Sequence, residues 1–124
     1  MAKNSISKIS NAFSTGGGGV NFEQQIQAMF LLSLLIDGFC PAMNEQTKKV
    51  HFQAKHLGHD VDDLVVITYR NQSEGKMACQ IKHSITATEK DKTFQEVICA
   101  AWNDFNKEDF DRDRDRIALV TAQI

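Results

Sequence analysis

The sequence predicts an α/β fold, a mixed sheet flanked by helices, with elements in the order helix, strand, strand, strand, helix, strand. Three observations carry this. Two segments place apolar residues at helical spacing: Phe22, Ile26, Met29, Phe30 and Leu34, then Phe94, Val97, Ile98, Ala101, Trp102 and Phe105. Four other segments are short and bounded by turn residues or charge. One of these, Leu64 to Tyr69 (LVVITY), is apolar on both faces, as expected of a strand in a sheet covered on both sides.

The elements follow in order. Residues 1–19 are polar and end in STGGGG, which reads as a flexible lead-in, with Ile6, Ile9 and Phe13 able to form one amphipathic turn. A domain over 20–124 follows. Asn21 is a good N-cap, with Gln24 at the capping-box position, so the first helix is expected to start there. It is apolar nearly all round from Ala28 to Ile36, which predicts burial on more than one side; Asp37-Gly38 and Pro41 end it. Strands are expected at Lys49 to Lys55, Leu64 to Tyr69 and Lys76 to His83, with Asn71 to Gly75 as the turn between the last two. Thr88 with Asp91 marks the start of the second helix, whose stripe reads as core packing. DRDRDR reads as a solvated turn into a last buried strand, Ile117 to Ala122.

Length and composition bound the rest. The 124 residues suffice for one modest core, and 42% hydrophobic with 24% charged residues is a globular composition. A net charge of −2 argues against coating nucleic acid by bulk positive charge. Cys40, Cys79 and Cys99 form no CxxC pair, so neither a zinc site nor a disulfide framework is expected. The apolar run Ala28 to Ile36 is too short to span a bilayer, so a cytoplasmic protein without membrane association is expected. The chain stops almost as soon as its last strand ends, which reads as the front part of a longer polypeptide or a domain whose edge a partner covers. The glycines 16–19 lack a preceding strand and a following Gly-Lys-Ser/Thr, so a hinge is preferred to a phosphate loop. His51, His56, His59 and His83 lack ligand pairing and read as surface residues, although His83, next to Lys82, could contact a phosphate.

One constellation carries chemistry. Asp60-Val61-Asp62-Asp63 opens the LVVITY strand, and Gln80-Ile81-Lys82 lies on the next. Alternation puts Gln80 and Lys82 on one face. Beside a strand covered on both sides, Lys82 is expected to be partly buried, and a buried ammonium is costly without a carboxylate partner. Asp63 can be that partner; Asp62 is the alternative, and Asp63 is preferred because it abuts the apolar run. A carboxylate, a side-chain amide oxygen and a main-chain carbonyl can hold a hard cation such as Mg²⁺, and a neighbouring lysine can stabilise charge on a phosphate. Glu23, one turn into the first helix, could reach the same site through water.

These residues resemble the PD-(D/E)XK nuclease superfamily, whose restriction-endonuclease-like core is α-β-β-β-α-β. The resemblance is closest to the Cap-type, Mrr-like double-stranded-DNA endonuclease domains of bacterial anti-phage systems. It runs through GGGGVNFEQQ, DDLVV, CQIKHS, AWNDF and RIALVTA, over about residues 16–122. It implies an endonuclease acting on double-stranded DNA, with Asp63, Gln80, Lys82 and Glu23 as catalytic residues. Mg²⁺ or Mn²⁺ would be held by Asp63, Gln80, the Ile81 main-chain carbonyl and, through water, Glu23. It further implies homo-oligomerisation through a C-terminal NTPase or sensor region absent from these residues. Gln80 stands where the family more often has Glu, which removes one negative charge from the metal site. The other reading is a catalytically inactive nuclease fold used for DNA binding or assembly; action on RNA is a third.

Overall fold

The computed structural model describes the backbone of residues 18–123 and the side chains of residues 21–122. Helix α1 (Gly18–Leu35) is followed by β1 (Phe39–Cys40), β2 (Glu45–Phe52), a 3₁₀ turn (Ala54–Leu57), β3 (Leu64–Arg70), β4 (Ser73–Ser84), α2 (Lys92–Phe105) and β5 (Arg116–Gln123). The five strands form one sheet in the order β1-β2-β3-β4-β5. The first three pairings are antiparallel, and β4 pairs with β5 in parallel, with α2 lying between them in the chain. The chain is therefore mixed α/β, a mixed sheet flanked by two helices. No described helix is long and apolar enough to cross a membrane.

The apolar faces of β3 and β4 divide the core in two, as strand alternation requires. Leu64, Val66, Cys79 and Ile81 face α1 and pack with Phe30, Phe22 and Ile26. Val65 and Ala78 face the other way, packing with Val61, Ala54 and with Ala100 and Ala101 of α2. The double covering expected of LVVITY is present.

Several boundaries differ from the sequence reading. Helix α1 already runs from Gly18, so Asn21 lies inside it and is not its N-cap, and two of the four glycines are helical and not hinge. Residues 1–17, with Ile6, Ile9 and Phe13, lie outside the described residues. The helix ends where Asp37 turns left-handed (φ 55°), with Gly38 N–H donating to the Ser33 carbonyl at 2.7 Å. It is buried on one side only: Met29, Leu32, Leu35 and Ile36 are exposed. Strand β2 starts earlier than expected and stops at Phe52, because Gln53 adopts a left-handed conformation (φ 50°) that breaks the strand. The β3–β4 turn is only Asn71 and Gln72, both at positive φ (51° and 65°), as in the two-residue hairpin turn matched to strand twist. The residues Ser73 to Gly75 join β4 instead. In α2, capped by Asp91 accepting from Phe94 N–H at 2.9 Å, Val97 is buried but Ile98 and Trp102 are exposed. Two of the six stripe residues are therefore not core.

DRDRDR is not a solvated turn throughout. Asp111, Arg112 and Asp113 are exposed, but Asp115 is buried and accepts from the Lys76 and Asp111 backbone N–H groups, each at 3.0 Å. Arg114 reaches under the sheet to Glu45, Nη2 to Oε1 at 3.1 Å. Glu45 is 4% exposed and also accepts from Thr68 Oγ1 at 2.6 Å, while Arg70 Nε lies 3.4 Å from Oε2. Burial alone would push the Glu45 carboxyl up; Thr68, Arg114 and Arg70 together outweigh it and hold the group below its ordinary 4.5. Gly75 is required here, since a Cβ would stand 2.7 Å from Arg114 Nε and 2.9 Å from Thr68 Oγ1.

Candidate functional site

The open end of the β3–β4 hairpin lies opposite that Glu45 cluster, and the sequence-predicted residues meet there. Leu64 pairs with Cys79, so Asp63, one step before β3, comes level with Gln80. Gln80 Nε2 donates to Asp63 Oδ2 at 2.7 Å, and the Ile81 backbone N–H donates to the same oxygen at 2.8 Å. Both bonds converge on Oδ2. The Gln80 amide thus turns its nitrogen to Asp63, which leaves its oxygen to face other groups.

Lys82 lies two residues on, half-buried on the same face of β4, beside Thr121 of β5. It lowers the pKa of both Asp63 and Glu23 through space; among the described residues it makes no direct ion pair with either. Glu23 comes from α1, on the other side of the sheet, and is electrostatically coupled to Asp63, Lys82 and Asp62. Phe22, its neighbour, packs into the core and meets His83 edge-on, with ring centroids 5.5 Å apart. His83 is thus partly covered by α1 and not fully exposed.

The two carboxyls are held under stress. Burial raises the Asp63 carboxyl above its ordinary 3.8, and Asp62 raises it further; the Ile81 N–H, Lys82 and Gln80 offset only part of this. Glu23 is likewise raised, first by burial and then by Asp63, with Gln53 and Lys82 opposing. The site thus gathers negative charge that its own cation does not fully compensate.

Two positioning residues were not singled out from the sequence. Gln53, in its left-handed conformation, donates from Nε2 to Glu23 Oε1 at 2.7 Å and fixes that carboxylate across the sheet end. Asp104, in the AWNDF segment, is 3% exposed and accepts from Asp60 N–H at 2.8 Å and Val61 N–H at 2.7 Å. It clamps the Asp60–Asp63 turn to the end of α2. Burial pushes Asp104 up, but Lys107 and the two backbone donors overcome this and hold it below 3.8. Neither signal was visible locally: Gln53 acts because its backbone departs from the strand, and Asp104 acts on a segment far away in sequence.

A cleft of about 330 Å³ borders this cluster, lined by Asp62, Gln80 and Lys82 with Lys55, Thr93 and Glu96; Asp63 and Glu23 are not among its lining residues. Asp62 thus faces the cleft while Asp63 anchors β4, so both aspartates belong to the site in different positions. A larger hollow of about 460 Å³ runs further along α2, past Lys92, Cys99 and Asn103. It lacks Gln80 and Lys82, and the smaller cleft is the one the charged cluster serves. His59 is partly covered near the Asp104 clamp, where burial lowers its pKa.

The donors at the cluster are oxygens: the Asp63, Asp62 and Glu23 carboxylates, the Gln80 amide and the Ile81 carbonyl. That is a hard-cation set. Among the described residues no group of three His, Cys, Asp or Glu side chains is arranged to hold a metal ion by itself. Mg²⁺ commonly uses only one or two carboxylates and takes its remaining ligands from water and substrate phosphate, so the donor set fits that ion and not zinc. Burial pushes the Cys79 thiol to about 12 and the Cys40 thiol to about 11, which keeps both protonated and unsuited to ligation at neutral pH. No family model matches the chain, and no curated protein or solved structure shows significant similarity to it.

Proposed function

We propose that the chain is a Mg²⁺-dependent endonuclease that hydrolyses phosphodiester bonds of double-stranded DNA, built on a restriction-endonuclease-like core. The observation that carries the reading is the junction of β3 and β4. There Asp63 is fixed by the Gln80 amide and the Ile81 N–H, beside half-buried Lys82, with Glu23 brought in from α1. The element order, once the unexpected two-residue β1 is set aside, and the short Asp-Asp, Gln-Ile-Lys and AWNDF segments support it.

In this reading Asp63, the Gln80 amide oxygen and the Ile81 carbonyl would hold the ion, with Glu23 acting through water. An ion held there would supply Lewis-acid polarisation of the phosphate and activation of a water. Gln80 and Ile81 N–H keep the Asp63 carboxylate aimed. Lys82 supplies the fixed positive charge that stabilises the phosphate as negative charge builds on it. Lys55, which also lines the cleft, would meet the DNA backbone in this reading. The bacterial anti-phage setting, assembly through a C-terminal NTPase or sensor region, and a cytoplasmic location belong to the same proposal.

One observation favours the second reading, an inactive nuclease fold used for binding: Gln80 turns its nitrogen toward Asp63 and contributes no charge. Incubation of supercoiled plasmid with the longest available chain, with Mg²⁺ and with chelator, separates the two. The nuclease reading expects nicked and linear products with Mg²⁺ only, and none from Lys82→Ala. DNA binding without cleavage in Mg²⁺ or Mn²⁺ assigns the inactive fold, and RNA cleavage without DNA cleavage moves the substrate to RNA.

A further inference from the structure

The outward side of α1 carries a run of exposed large apolar residues. Met29 is 63% exposed, Leu32 56%, Leu35 81% and Ile36 67%, with Leu31 at 44% beside them and Phe39 at 62% just beyond the helix end. Taking a large apolar residue as presenting on the order of 200 Å² when free, these six leave roughly 700 Å² open to water. Monomers seldom leave a continuous apolar patch of more than a few hundred Å², and a standard protein interface uses about 800 Å² per partner. The helical spacing of Met29, Leu32 and Ile36 is three then four, the seam of two packed helices.

We propose that this face pairs with the same face of a second copy, α1 against α1 in antiparallel order about a two-fold axis near Leu32. In that arrangement residue 32 + k faces residue 32 − k, so Met29 meets Leu35, Ile36 meets the small Ala28, and Phe39 meets Gln25. Self-pairing demands a surface that does not repel itself, since a two-fold interface sets each patch against its own copy. The exposed side of α1 meets that demand. From Asn21 to Ile36 it reads Asn21, Gln24, Gln25, Ala28, Met29, Leu31, Leu32, Leu35, Ile36, with no charged residue; the exposed Asp37 just beyond would face Gln27 of the copy and so meets no like charge. The one charge in the helix, Glu23, is turned to the site. The lack of charge also disfavours a lipid surface, because helices that lie on membranes flank their apolar side with Lys and Arg. The proposal does not depend on the nuclease reading.

The test is sedimentation velocity on the full chain across a concentration series, with Leu32→Lys and Leu35→Glu as variants and circular dichroism as the control for folding. Both positions are exposed, so both variants should fold as the wild type does. The wild type is expected to dimerise, and each variant to weaken the dimer by at least about 100-fold. A second measurement fixes the axis: in a Cys99→Ser background, Leu32→Cys should oxidise to a covalent dimer, while Ile98→Cys, comparably exposed on α2, should not. A wild type that stays monomeric at about 200 µM, far above the micromolar range of a specific interface, overturns the proposal. So does a dimer unaffected by Leu32→Lys, which places the contact elsewhere. Capture of the monomer on phosphatidylcholine vesicles, lost in Leu32→Lys, overturns it too and gives the face to lipid.

Discussion

The two ends of the β3–β4 hairpin each hold a carboxylate away from bulk water, and they treat it in opposite ways. At the turn end, Glu45 receives Thr68, Arg114 and Arg70, and its pKa falls below 4.5. At the open end, Asp63 receives one amide and one backbone N–H, its nearest cation acts only through space, and its pKa rises above 3.8. Asp62 raises it further, and Asp63 in turn raises Glu23. A buried charge that is fully paired holds structure together. One that is aimed but under-compensated is what a site needs if an outside cation is to complete it.

The largest effect should separate the ends by activity. Asp63→Asn keeps an acceptor for Gln80 and Ile81 but loses the charge, so Mg²⁺-dependent plasmid cleavage should fall by about 10³-fold with the fold intact. Its stability should hold or rise at neutral pH. The sign follows from the raised pKa: ionised Asp63 costs stability above its folded pKa, and the cost is absent below 3.8. Glu45→Ala should do the reverse, costing about 3 kcal/mol in denaturant unfolding because it strands Arg114 under the sheet. For Glu45 the lowered pKa contributes stability that is present above 4.5 and lost as pH falls through the folded value. Glu45→Gln should therefore flatten the acid limb of the stability profile, measured by thermal melts between pH 3 and 7.

Smaller effects test how the open end is held. Asp104→Ala leaves the Asp60 and Val61 N–H groups unsatisfied and should cost about 2 kcal/mol, with cleavage falling as the Asp60–Asp63 turn loosens. Gln53→Gly suits the left-handed backbone while removing the bond to Glu23. It should leave stability unchanged or slightly higher and lower cleavage about 10-fold; equal cleavage would show that Glu23 needs no positioning.

What the sequence made legible follows from how local each cause is. The double-sided run of β3 and the alternation of β4 are local, so the Asp63–Gln80 contact with Lys82 on the same face could be read before the fold was seen, whereas the direct Asp63–Lys82 pair expected there does not form among the described residues. Glu23 was legible because helical spacing put its neighbours Phe22 and Ile26 into the core. Arg114 was not, because nothing in DRDRDR distinguishes the arginine that finds Glu45 from the one that stacks on Phe105. Gln53 and Asp104 were missed for the same reason: each acts on a backbone or carboxylate distant in sequence. The apolar outer face of α1 misled directly, since a helix apolar all round reads as buried on all sides whether its cover is the same chain or another.

The most direct measurement is a carboxyl-carbon NMR titration of Asp63, with Glu45 as the internal reference, without metal and with saturating Mg²⁺. The account predicts that Asp63 titrates above 3.8 without metal and drops when Mg²⁺ is added, while Glu45 titrates below 4.5 in both conditions. An Asp63 that titrates at or below 3.8 without metal, and does not move with Mg²⁺, would contradict it.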